Sequence, residues 1–154
     1  MTEPEKNEPP AVNRKYGEES AAVQAHVNLL QTVIQRMAAN SNSCKAFCVT
    51  LVSAVLVVVA DKGKPSLAAL ALLPALLFLV LDTYYLALER RFREAYNAFI
   101  KKMHEGSLAA DDLFSVHPTG RAAATFFAAM GSLSVWLFYA VHVVLIGLAW
   151  LLVL

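Results

Sequence analysis

The sequence predicts an all-α membrane protein with three transmembrane helices, of which the first two form a long hairpin that extends into the cytoplasm. Hydrophobic residues make up 58% of the 154 positions and charged residues 16%, against roughly 45–50% and 25% in a soluble domain. Long uncharged runs adjoin amphipathic helical patterns, and basic residues are concentrated on one side of these runs. The net charge of +1 provides no overall attraction for nucleic acid or acidic substrates.

Residues 1–20 form the first predicted segment, a disordered tail. They contain Pro4, Pro9, Pro10 and many charges without an apolar run, which is typical of chains that cannot bury a core. The tail has no hydrophobic segment of the kind found in a cleavable signal peptide.

The hairpin, residues 21–105, begins with one long helix. Apolar residues recur at three- and four-residue spacing, and the same register continues to Ser41, Cys44 and Cys48. Residues 46–60 contain no charge, so the second half of the helix is predicted to be the first span, with Lys45 snorkelling to its edge. Residues 61–65 then form a turn.

The second arm of the hairpin starts with an uncharged run at residues 65–81 and continues as an amphipathic helix to Met103. This pattern predicts a second span whose end projects into water beside the first helix, so that the two arms form a stalk. Ala71 and Ala75 favour close packing, and Pro74 between them indicates a kink. Gly106 ends the helix, and residues 106–121 are predicted to be a linker.

The last segment, residues 122–154, is uncharged if His142 is neutral. A straight helix of this length would measure about 50 Å, against a hydrocarbon core of about 30 Å. Gly131 and Ser132 are the natural break. We therefore expect an interfacial helix at residues 122–130 and a third span at residues 133–154.

The basic residues predict the orientation of the spans. Of the 13 Lys and Arg residues, all except Lys62 and Lys64 lie on the side of the N-terminus and the linker. The positive-inside rule places that side in the cytoplasm and the C-terminus in the periplasm. The expected location is a bacterial inner membrane.

Equal helical rise in two antiparallel arms pairs residues whose numbers add to about 127. This register brings Lys45 beside Asp82 near the cytoplasmic boundary, where an isolated charge is costly and a paired charge is tolerated. The pair is interpreted either as a structural pin that sets the register or as a gate that contacts ions.

Uncharged polar residues precede the first span and form a candidate vestibule wall. Around a symmetry axis they would form rings of amides and hydroxyls that line water, although a solvated stalk face has the same composition. His142, near the middle of the third span, belongs either to this path or to a hydrogen bond with a neighbouring helix. The candidate lining residues are Gln35, Asn40, Ser41, Asn42, Ser43 and His142.

A basic cluster on the second arm is a candidate site for an anionic ligand, such as a lipid phosphate or a nucleotide. The positive-inside rule explains the same charges without a ligand. The cluster consists of Arg90, Arg91, Arg93, Lys101 and Lys102.

Motifs of catalysis are missing from the sequence, which has no glycine-rich phosphate loop, no nucleophile elbow and no metalloprotease motif. Cys44 and Cys48 share a helical face, but two thiols without a nearby His predict helix packing rather than a metal site. We therefore expect neither an enzyme nor a cofactor.

Residues 31–45, 81–93 and 96–99 resemble small bacterial membrane proteins that are encoded beside nucleotidyltransferases in phage-defence loci, namely the HalA-type effectors of Hailong systems. The resemblance covers residues 25–115. It implies an oligomeric ion channel that an oligonucleotide from the partner nucleotidyltransferase keeps shut, and that depolarises the membrane on infection.

The residues alone support a less specific function. Three spans in one chain cannot enclose a water-filled path, whereas a homo-oligomer of about four copies can. A membrane-anchored helical scaffold without a pore is the alternative, and an accessory subunit of a transporter is another.

Overall fold

The computed structural model describes residues 16–153, and this part of the chain is helical without any strand. Its four α-helices are α1 (Ala21–Lys62), α2 (Leu72–His104), α3 (Ala122–Met130) and α4 (Leu133–Val153). Three helical segments are long and apolar enough to cross a membrane. The prediction of an all-α chain with three such helices is therefore confirmed for the described residues.

Helix α1 begins directly after a turn in which the Ser20 N–H donates to the Gly17 carbonyl at 2.9 Å. Tyr16, within the predicted tail, packs against the cluster of Val23, Leu30 and Phe99. The rest of the tail, residues 1–15, lies outside the described residues. The helix ends at Lys62 and is capped by Gly63, whose left-handed φ of 56° is a conformation that glycine adopts without strain.

The connection to α2 differs from the expected continuous α-helix, because residues Pro65–Ala71 form a 3-10 helix. Ala68 and Ala71 on this segment are fully buried, and the segment packs against both α1 and α4. Small side chains permit this close approach. Pro74 falls in the first turn of α2, directly after the 3-10 segment, and proline is tolerated in the first turn of a helix.

Helices α1 and α2 pack side by side along most of their length. The start of α1 meets the end of α2 in the cluster of Val23, Leu30 and Phe99, followed by a second cluster of Val33, Met37 and Phe92. We call this pair of polar ends, residues 21–44 and 89–104, the stalk. Ile34 packs against the second cluster. The register of 127 also pairs Ile34 with Arg93, but the Arg93 side chain extends outward to Glu89.

Helix α4 packs one face against the apolar halves of α1 and α2. Val135, Tyr139, His142 and Ile146 recur at four- and three-residue spacing and are buried, while most of the remaining surface of α4 is exposed. Between α3 and α4, the Trp136 N–H donates to the Ser132 carbonyl at 3.0 Å. The short α3 packs on α2 through Ala129.

The linker, residues 106–121, is tied to the stalk. The Arg91 guanidinium donates to the carbonyls of Thr119 at 2.8 Å and Pro118 at 3.1 Å, and the Thr119 hydroxyl donates back to the Arg91 carbonyl. Gly120, with a φ of 79°, lies so close to Glu94 that an added Cβ would meet the carboxylate oxygen at 2.8 Å. The linker therefore follows the stalk along a defined path.

Candidate functional site

A buried ion pair lies where α1, α2 and α4 meet. Asp82 on α2 is 0% exposed, and the Lys45 ammonium on α1 lies 2.7 Å from each of its carboxylate oxygens. The Ser41 hydroxyl, one helical turn before Lys45, donates to Asp82 Oδ1 at 2.5 Å. The ion pair neutralises the carboxylate, and Oδ1 accepts hydrogen bonds from both Lys45 and Ser41. Oδ2 lies against the Lys45 ammonium but has no hydrogen bond within the described residues.

Tyr139 brings α4 to this ion pair. Its buried hydroxyl lies in the electrostatic environment of Asp82, and no described atom is within hydrogen-bonding geometry of it. Burying a hydroxyl in purely apolar surroundings costs free energy. The nearby Asp82 carboxylate lowers that cost and so favours the packing of α4 that places Tyr139 beside it. We call Ser41, Lys45, Asp82 and Tyr139 the polar node.

Cys44 and Cys48 line the same inner face of α1 and are free and buried. Within residues 16–153, no group of three or more His, Cys, Asp and Glu side chains has the arrangement of a metal site. Cys48 packs in the same apolar cluster as Tyr139, and Cys44 lies on α1 beside Lys45 of the polar node.

The candidate vestibule residues are divided between faces of α1. Gln35, Asn42 and Ser43 are exposed, and Asn40 is half-buried. Ser41 differs from the expectation of an outer face, because it is only 5% exposed and donates to Asp82. The reason is geometric: Ser41 shares the register of the buried Met37, Cys44 and Cys48.

A second face of α1, opposite the polar node, is exposed along the whole apolar half of the helix. Its residues recur at three- and four-residue spacing and have small or hydroxyl-bearing side chains, apart from one valine. Beside this face α1 exposes larger apolar side chains such as Phe47 and Val58, and helices α2 and α4 expose others such as Leu73 and Leu137. We call this face the small-residue face, and it consists of Ala39, Ser43, Ala46, Thr50, Ser53, Val57 and Ala60.

His142 faces inward in α4 and is buried. Its Nδ1 lies 2.9 Å from the Phe138 carbonyl one turn earlier, and its ring packs on the Phe138 ring at 4.3 Å. This hydrogen bond lies within its own helix rather than reaching a neighbouring one. The imidazole therefore contributes to packing inside one chain.

The basic cluster is engaged in contacts within the chain. Arg90 donates to the Ala128 carbonyl at 3.1 Å, and Arg91 binds the linker carbonyls. Arg93 pairs with Glu89 and Lys102 with Asp112, each at 2.7 Å. Lys101 is the most accessible, with a 77% exposed side chain and Glu105 at 3.8 Å. An anionic ligand would therefore meet Lys101 first and would have to replace existing contacts at the other four.

Sequence reasoning missed His26. This residue is 2% exposed, accepts a hydrogen bond from the Phe114 N–H at 2.9 Å, and packs on the Phe99 ring. The available signal was its position in the apolar stripe, three residues after Val23 and four before Leu30. Its partner could not be foreseen, since residues 106–121 carry no periodic pattern.

The chain matches no protein-family model, no curated protein and no solved structure.

Proposed function

We propose that this protein is a homo-oligomeric ion channel of the bacterial inner membrane, with its N-terminus and stalk in the cytoplasm and its C-terminus in the periplasm. The small-residue face of α1 is the observation that carries the proposal. In this arrangement α1 and α2 form a membrane hairpin and α4 is the third span. Several copies, four in the expected assembly, surround a path lined by α1.

The chemistry of the small-residue face favours water or another helix over lipid. Thr50 satisfies its hydroxyl by donating to the Ala46 carbonyl at 3.0 Å, but a row of small side chains leaves lipid tails little to pack against. Small residues let helices approach closely, and spacing near 3.5 residues per turn suits a left-handed bundle. Hydroxyls at Ser43, Thr50 and Ser53 would then form rings along the path.

The polar node supports the same arrangement from the other side of α1. Ser41 contacts Asp82 on α2, Cys48 packs in one cluster with Tyr139 on α4, and Cys44 is buried on the same side of α1. The ion pair therefore points away from the small-residue face. Of the two interpretations of Lys45 and Asp82, the structural pin is therefore the better supported. The node holds α1 against its own chain and leaves its opposite face free for other copies.

Planar-bilayer recording tests this proposal. We expect currents from purified full-length protein, and a mass in nanodiscs that is a multiple of the 16.8 kDa chain. In a Ser53→Cys variant, a cationic methanethiosulfonate reagent should reduce the current at least about twofold, because the modified side chain narrows a water-lined path. Leu51→Cys is the matched control, since Leu51 is exposed on a different side of α1.

Three outcomes would contradict the proposal. A silent bilayer with a well-assembled oligomer would favour the membrane-anchored scaffold, and a strictly monomeric particle would favour the scaffold or accessory subunit. If the reagent reduces the current equally in Ser53→Cys and Leu51→Cys, the protein is still a channel, but the small-residue face of α1 does not line its path.

The role in phage defence is proposed from the resemblance to HalA-type effectors. Short oligonucleotides on the stalk side should change the current, and the effect should weaken with salt because it depends on phosphate charge. Lys101→Ala should reduce the response, since Lys101 is the most accessible cation of the basic cluster. A current that does not change when oligonucleotides are added would remain consistent with an ion channel but would contradict its regulation by nucleotides.

A further inference from the structure

His26 joins the stalk to the linker. Its ring is enclosed by the apolar cluster of Val23, Leu30 and Phe99, with the Phe99 ring centre 4.3 Å away. Its Nδ1 accepts the Phe114 N–H at 2.9 Å, a contact between residues 88 positions apart. Because Nδ1 is an acceptor, the imidazole is neutral and carries its proton on Nε2.

Phe114 is held in an unusual backbone conformation. Its φ of 61° lies in the left-handed region, which a bulky side chain rarely adopts. The side chain is 62% exposed and meets the His26 ring only edge-on, at 6.4 Å. Burial of the Phe114 side chain therefore does not explain the strained conformation, and the hydrogen bond to His26 is the contact that favours it.

Few charged groups surround His26. Asp112 in the linker is the one described charge that acts on it directly, and this carboxylate is held by the Lys102 ammonium at 2.7 Å and the Ala109 N–H at 3.0 Å. The α1 neighbours Val23 and Leu30 are apolar, while Tyr16, a titratable phenol, packs on the same cluster. Burial lowers the pKa of His26 below its ordinary value of 6.5, and Asp112 opposes this shift more weakly.

We propose that His26 is a proton-sensitive latch that holds the linker on the stalk at neutral pH and releases the segment around Phe114 when the surrounding solution becomes acidic. The inference goes beyond the proposed channel and does not depend on it. It assigns to a buried imidazole the control of the segment that connects the stalk to α3.

One proton transfer accounts for the release. A proton from water binds Nδ1, which turns the acceptor into a second N–H donor and places a positive charge in an apolar cluster. Two donors, Nδ1–H and the Phe114 N–H, then face each other and cannot form a hydrogen bond. The released imidazole titrates near 6.5 and the latched one lower, so the latch is strongest above pH 6.5 and weakens as the pH falls below it.

Hydrogen–deuterium exchange of the full-length protein in nanodiscs tests the latch. Exchange of peptides that cover residues 108–120 is measured at pH 7.5 and 5.5 and corrected for the intrinsic pH dependence. We expect protection of this segment to fall by up to about tenfold at pH 5.5, the limit that proton linkage sets for a released imidazole of pKa 6.5, while peptides from α4 remain protected.

Two variants identify the proton acceptor. His26→Asn places an amide oxygen near the position of Nδ1 without a titratable group, so the segment should stay protected at both pH values. His117→Gln removes an exposed imidazole of the same linker and should retain the wild-type pH response.

Three results would overturn the proposal. They are equal protection of the wild type at both pH values, an acid-induced loss that persists in His26→Asn, and loss of the response in His117→Gln. If His26→Asn fails to fold, titration of the wild-type His26 imidazole by NMR decides instead, because an unchanged linker spectrum across that titration would contradict the latch.

Discussion

Asp82 is the most deeply buried charge of the described chain and depends on contacts from α1. Lys45→Ala leaves Asp82 buried and unpaired, a loss of about 3–5 kcal/mol. Asp82→Ala leaves Lys45 unpaired, and this should cost less because the Lys45 side chain is 19% exposed. We expect each variant to lower the melting temperature in detergent or to prevent assembly. Lys62→Ala is the control, since Lys62 and its partner Asp61 are exposed and such pairs contribute little.

Double variants separate pairing from burial at the same two positions. The sites are not equivalent, because Lys45 is 19% exposed and Asp82 is 0% exposed. The exchange Lys45→Asp with Asp82→Lys should therefore restore stability only in part, whereas Lys45→Met with Asp82→Leu should restore more of it, because no buried charge remains. Single variants with normal melting and assembly but altered conductance would contradict the structural pin and favour a gate.

At the scale of elements, Arg91 holds the linker against α2. The buried Ala68 and Ala71 let the 3-10 segment pack closely against α1 and α4. Arg91→Ala removes the fork that binds the carbonyls of Pro118 and Thr119, each hydrogen bond contributing about 1 kcal/mol. We expect trypsin to cleave after the exposed Arg121 several-fold faster in this variant, as measured by intact mass over time. Opening of the linker is the step that gives the protease access.

Arg93→Ala is the matched control for Arg91→Ala. Arg93 carries the same charge two residues later, but its side chain is exposed and pairs with Glu89 on the same helix. This substitution should leave the cleavage rate nearly unchanged. Equal acceleration in both variants would show that charge near α2, rather than contact with the linker carbonyls, protects the linker.

For the whole molecule, the distribution of basic residues predicts its orientation in the membrane. Reporter fusions at Lys64 and after Leu154 should read periplasmic, and a fusion at Gly106 should read cytoplasmic, because Lys and Arg are enriched on the Gly106 side. Activity of paired phosphatase and fluorescent-protein reporters measures each location. A cytoplasmic C-terminus would remove α4 from the set of spans and exclude the proposed assembly.

The sequence by itself determined the helical class and the three apolar helices, because hydrophobic run length and side-chain period are local properties. Constant helical rise also related Lys45 to Asp82 across a short turn. The same reasoning placed Ser41 in the register of Cys44 and Cys48, which is where the structure buries it. The polar composition of the run nevertheless grouped Ser41 with the exposed Asn42 and Ser43 as a candidate lining residue.

Only the tertiary structure decided how these faces are used. The burial of Ser41, the approach of Tyr139 to Asp82, the 3-10 helix at Pro65–Ala71 and the path of the linker over His26 all depend on contacts between distant parts of the chain. Such contacts form where a buried polar group needs a partner or where small side chains permit close approach. Neither condition has a local sequence signature, because each depends on which surfaces the fold brings together.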